Sequence, residues 1–123
     1  MYKKIIQLTE DITPELVRQR RDFHKYPEVR WTEMRTASII AGKLTELGYE
    51  VLIGEQVCNG EARVHVPSDE ALEQEYQRAI AQGADPKFVE ATKDGLTGVI
   101  GILRCGEGPT VAMRFDIDAL GVI

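Results

Sequence analysis

Thr110-Val111-Ala112-Met113-Arg114-Phe115-Asp116-Ile117-Asp118-Ala119-Leu120 is the stretch on which the reading of the fold turns. It is an apolar run that ends in two carboxylates at i and i+2, with an arginine just before them. On a strand, alternation places Arg114, Asp116 and Asp118 on one face and Phe115 and Ile117 on the other. Two like charges about 7 Å apart at the end of a buried strand need a reason to be there. Residues 110–116 are therefore expected to form a core strand, and residues 96–104 another. Gly106-Glu107-Gly108-Pro109 joins them at a length that suits an antiparallel hairpin.

Upstream of these strands the pattern is helical. Thr13 suits a helix cap, Pro14 the first helical position and Glu15 the positive end of the dipole. Ile12 and Val17 are spaced as a hydrophobic staple. This helix is expected to run to Lys25 or Tyr26, because Pro27 biases its predecessor away from helical angles. Residues 1–10 read as an ordered lead-in. A second helix is expected over 32–47, where Ala37, Ile40, Ala41, Leu44 and Leu47 form one stripe and Gly48 fits a left-handed cap. Residues 49–53 then read as a short strand.

Between them lies a helical excursion at about 58–94. Ser68-Asp69-Glu70 caps a helix carrying Leu72, Tyr76, Ala79 and Ile80, ended by Gly83. Asp85-Pro86 starts a shorter helix expected to reach Thr92. Residues 1–123 thus read as one unit. The fold class is α/β: a layered mixed sheet with flanking helices, lying against the first two of them.

With 43% hydrophobic and 28% charged residues among 123, the chain has the balance of a globular domain with one core. Its net charge of −5 gives no nucleic-acid footprint, and Arg18-Gln19-Arg20-Arg21 reads as one solvated helix face. No apolar run reaches membrane-spanning length and no signal-peptide core is evident, so a cytoplasmic location is expected, with no membrane or nucleic-acid partner. Cys58 and Cys105 are far apart and form no metal-spaced pair.

Asp116 and Asp118 are the leading functional candidates: paired acids at the end of a strand suit metal binding, orientation of a metal-ligating histidine, or acid–base work. A surface pair neutralised by Arg114 is the competing reading. His24, near a helix end, reads as structural, and so does His65. Asp22, His24 and Glu28 do not share a helix face. Cys105 has no base placed beside it and reads as an inert buried thiol. Gly106-Glu107-Gly108 precedes a strand and does not open a phosphate-binding helix.

Four blocks occur in order: residues 20–28 (Arg-Arg-Asp-Phe-His-Lys-Tyr-Pro-Glu), Glu33 through Leu47-Gly48-Tyr49, Thr97-Gly98-Val99-Ile100-Gly101, and Met113 through Leu120. Together they resemble the N-terminal portion of the metal-dependent amidohydrolases that include hippurate hydrolases, N-acyl-amino-acid amidohydrolases and auxin-conjugate hydrolases. In the excursion, Ala71-Leu72-Glu73-Gln74-Glu75-Tyr76 and Ala81-Gln82-Gly83-Ala84 are similar to the branch that cleaves p-aminobenzoyl-glutamate.

The resemblance implies part of a zinc-exopeptidase-like catalytic domain. The intact enzyme would use two zinc or manganese ions, act on a small acyl-glutamate substrate, and assemble with copies of itself and with a second hydrolase subunit. Asp118 matches the second aspartate of the family's Arg-x-Asp-x-Asp-Ala-Leu block, whose analogue in related peptidases orients a metal-binding histidine. Asp116 falls where those peptidases place a histidine ligand, so no direct metal role is implied for it. The family's proline after that block is Gly121 here, a departure that the aminobenzoyl-glutamate branch tends to share.

The family's metal ligands lie downstream of the block. No metal ligand and no bound cofactor is therefore expected in this segment, and the chain by itself is expected to be inactive. An exposed sheet edge is expected to favour self-association. The alternatives are a general N-acyl-amino-acid or indole-conjugate amidohydrolase, and a non-catalytic truncated assembly module.

Overall fold

The computed structural model describes residues 1–121. Along the chain run α1 (Tyr2–Lys25), α2 (Met34–Glu46), β1 (Glu50–Ile53), α3 (Asp69–Ala81) and β2 (Val99–Ile102). Short 3-10 turns sit at Gly54–Gln56, Gly60–Ala62 and Val89–Thr92.

The other elements are arranged on α2. Its stripe turns inward: Ala37 and Ala41 have no exposed surface, while Ile40 and Leu44 are half-buried. Leu47 falls past the last turn and is exposed. The helix closes as its glycine implies. The amide of Gly48 donates to the Thr45 carbonyl and that of Tyr49 to the Leu44 carbonyl, each at 3.0 Å. Gly48 takes φ +85°, which a side chain would resist.

That cap delivers the chain straight into β1, which pairs antiparallel with β2, Glu50 opposite Ile102 and Ile53 opposite Val99. Both strands pack against α2. On another side of α2 lies α3, whose N-terminus is capped by the Ser68 hydroxyl accepting from the Ala71 amide at 3.3 Å. Its C-terminus repeats the glycine closure, with Gly83 donating to Ile80 and Ala84 to Ala79. Met34, Leu72, Tyr76, Ala79 and Val89 form the core cluster, with Val66 and Ala84 packed onto it. Each large apolar side chain so buried contributes about 1.5–3 kcal/mol.

Three expectations are corrected. First, α1 does not begin at Thr13; it starts at Tyr2 and runs through Pro14. The Thr13 hydroxyl donates back to the Thr9 carbonyl at 2.7 Å instead of capping. Pro14 has a helical φ and removes one donor, so a helix already formed by good upstream residues survives it with a local defect.

Second, residues 110–116 form no strand, so the hairpin is absent and the sheet among the described residues is a two-stranded antiparallel ribbon. The layered mixed sheet is not built by these residues. Gly106 (φ +113°) and Gly108 (φ +148°) carry the chain away from β2, and its far end is drawn to the loop before α2, where the Ala119 amide donates to the Glu28 carbonyl at 2.7 Å. β2 itself is shorter than residues 96–104.

Third, the short helix after Asp85 is a set of turns ending in a single 3-10 segment. The end of α1 at Lys25, just ahead of Tyr26-Pro27, agrees with the proline argument.

Candidate functional site

The two aspartates sit on the unpaired tail. Asp116 pairs with Arg114 at 2.5 Å, and its side chain is 65% exposed. The contact shows that i and i+2 share a side here, as alternation requires. An ion pair this exposed is worth about 0–1 kcal/mol. Asp118 is also exposed, but the bond from its neighbour Ala119 to Glu28 holds it beside the start of α2.

That start is an acidic, buried junction. The Glu28 carboxylate has no exposed surface and accepts from the α2 amides of Arg35 (3.1 Å) and Thr36 (2.7 Å) and from Arg78 Nη2 (3.3 Å). A carboxylate at the positive end of a helix satisfies donors that otherwise have no partner. Glu33 is almost fully buried, and its Oε2 accepts from the Thr97 hydroxyl at 2.8 Å. Burial pushes the Glu33 carboxyl above its ordinary range; the Thr97 bond opposes this, and the charges of Asp118 and Glu28 add to it.

Arg35 completes the junction. Its Nε donates to the Gln82 carbonyl at 2.8 Å, its Nη2 pairs with Asp22 at 2.7 Å, and its Cζ stacks 4.7 Å from the Tyr26 ring. One polypeptide corner thus joins the ends of α1, α2 and α3 to the tail that carries Asp118.

Sequence reasoning singled out Asp116 and Asp118 but gave no role to Glu28 or Glu33. A weak signal existed: Glu28 and Glu33 stand shortly before the helix start, where the dipole favours a carboxylate. His24 and His65 are exposed, and His65 takes φ +54°. Cys105 is exposed, contrary to the buried reading, and Cys58 accepts from the Gly98 amide at 3.3 Å.

Among the described residues, no three His, Cys, Asp or Glu side chains converge on a metal-sized site. The donor set around Asp116 and Asp118 does not fit a metal centre by itself. A groove of about 510 Å³ runs between α1 and α2, lined among others by Gln19, Asp22, Ile40 and Lys43, and neither aspartate reaches it. Among the described residues, no helix is long and apolar enough to cross a membrane.

The chain is 40% identical over 115 residues to one of the subunits of the p-aminobenzoyl-glutamate hydrolase of Escherichia coli K12, an alignment spanning 93% of this chain and 26% of that protein. It is a homologue of part of that hydrolase. An indole-3-acetyl-aspartic acid hydrolase of Enterobacter agglomerans is also 40% identical, over 110 residues, covering 89% of this chain and 25% of the relative.

The crystal structure of an aminobenzoyl-glutamate utilization protein from Klebsiella pneumoniae superposes with a TM-score of 0.90 at 36% identity, over 94% of this chain and 30% of that one. The α/β character is thus shared with a solved relative. No family model matches the sequence. The homologous segment spans about a quarter of the length of the curated relatives.

Proposed function

We propose that this chain forms the N-terminal part of the catalytic domain of a cytoplasmic two-metal amidohydrolase that releases p-aminobenzoate and glutamate from p-aminobenzoyl-glutamate. The observation that carries the reading is the 40% identity to the Escherichia coli hydrolase over 93% of the chain. In this reading the zinc or manganese ions are held by side chains outside residues 1–121, and they would polarise the amide carbonyl and activate water. The residues of this chain contribute support. Asp118 orients a ligating histidine, and its position is set by the Ala119–Glu28 bond and the buried corner behind it. Residues 110–116 take their place in a layered sheet when further strands supply ladder partners. The intact enzyme pairs with copies of itself and with a different, second subunit, while this segment alone is inactive.

A second reading, hydrolysis of an indole-conjugated amino acid, is favoured by the equal identity to the indole-3-acetyl-aspartic acid hydrolase. Assays of the native gene product with both amides decide between them. Release of p-aminobenzoate supports the first reading, release of indole-acetate alone supports the second, and release of neither from metal-loaded protein leaves the non-catalytic module. In an active product, Asp118→Asn is expected to lower kcat by about 10–100-fold with little change in melting temperature. Unchanged turnover would remove the orienting role.

A further inference from the structure

Glu28 carries two tethers on one residue. Its carboxylate reaches forward to the amides seven and eight residues on, those of Arg35 and Thr36 in the first turn of α2, and Arg78 of α3 donates to it as well. Its backbone carbonyl accepts from the Ala119 amide at 2.7 Å. Among the described residues, no other backbone hydrogen bond ties 105–121 to the body.

The side chain thereby closes residues 28–35 into a ring. Inside it the Thr32 amide and hydroxyl both donate to the Val29 carbonyl, at 2.9 and 2.7 Å, so the loop has little freedom of its own. A peptide group held in such a ring points in one direction, and the Glu28 carbonyl points at the tail. Two further observations set the tail against this ring. A Cβ on Gly121 would stand 4.0 Å from Val29 Cγ1, and the charge of Asp118 is felt at Glu33.

We infer that Glu28 is a positioning residue for Asp118: its buried carboxylate fixes the ring, and the carbonyl of that ring sets where Asp118 stands. The inference rests on the hydrolase reading given above. The Glu28 carboxylate has no exposed surface, so it acts only through the chain. A serine at position 33 would meet an α2 amide without burying a charge. The carboxylate from residue 28 meets two amides and closes the loop as well.

The test is a double-mutant cycle in the metal-loaded native gene product. Glu28→Gln keeps the shape but turns one acceptor into a donor facing a helix amide. It is expected to lower kcat by about tenfold with KM little changed. It is also expected to speed hydrogen exchange at the Ala119 amide by roughly five- to tenfold, the worth of one hydrogen bond. In an Asp118→Asn background the same change is expected to move kcat by less than about twofold, because the group it positions is gone. Ala119→Pro removes the donor and leaves the buried corner intact, so it serves where Glu28→Gln does not fold. It is expected to lower kcat in the same way, and the two changes combined to cost no more than the worse one. An equal loss of kcat in both Asp118 backgrounds overturns the inference, and so does unchanged Ala119 exchange in Glu28→Gln. A wild-type product inactive on both amides overturns the hydrolase reading alone, and Ala119 exchange then decides whether Glu28 holds the tail.

Discussion

At Glu33 burial and charge are in direct conflict. The side chain is nearly out of water, and its acceptor capacity is met by one hydroxyl, that of Thr97. Burial is the main reason its carboxyl titrates above the ordinary glutamate value of 4.5. A raised carboxyl binds its proton more tightly folded than unfolded. The resulting stability is fully present below the ordinary value and is lost as pH rises through the raised one. Glu33→Gln keeps an acceptor for Thr97 and removes the charge. It is expected to raise stability at pH 7, with the gain shrinking toward pH 4. Urea titrations at both pH values check this; an equal effect at the two would remove ionisation as the cause. Glu28 behaves differently because it meets three donors, two of them helix amides. Its removal would leave those two amides unmatched in the interior, while Arg78 would keep Glu75 and Gln82.

Among the elements, the helix ends that glycine closes were legible because the chemistry is local. Gly48 and Gly83 sit where a left-handed residue is needed, and an apolar stripe stops just before each. Gly54 has the same sign of φ for a reason no local pattern carries. At φ +66°, a Cβ there would stand 2.2 Å from the Ala91 carbonyl oxygen, whereas at Gly83 nothing lies within 4 Å. Gly83→Ala is therefore expected to cost about 1 kcal/mol from backbone conformation alone. Gly54→Ala should cost about 2–3 kcal/mol or more, because the 3-10 turn must shift as well. Paired denaturation curves test the difference, and equal losses would mean that the Ala91 contact relaxes freely. Two elements were misread for instructive reasons. Thr13-Pro14-Glu15 satisfies every local rule for a helix start, yet the preceding residues hold their own helix and the proline costs it one bond. Residues 110–116 alternate as a strand should, but a strand exists only where another backbone offers a ladder, and that partner is not written in the segment itself. The acidic corner escaped for the same kind of reason: Glu33 and Thr97 are far apart in the chain and meet only through the fold.

Taken whole, the molecule is a small packed body with two underpacked extensions. α2, α3 and the ribbon share the core. α1 contributes no buried residue; Ile5, Leu8, Ile12 and Leu16 are each about half exposed, on a helical spacing that continues the side facing α2 beyond the body. The tail is exposed along most of its length. Local opening free energy follows packing. Amide exchange is therefore expected to be slowest in α2 and α3, faster in residues 2–13 of α1, and fastest in 110–118, with Ala119 retarded by its bond to Glu28. Uniform protection along α1 would mean that its apolar side is covered.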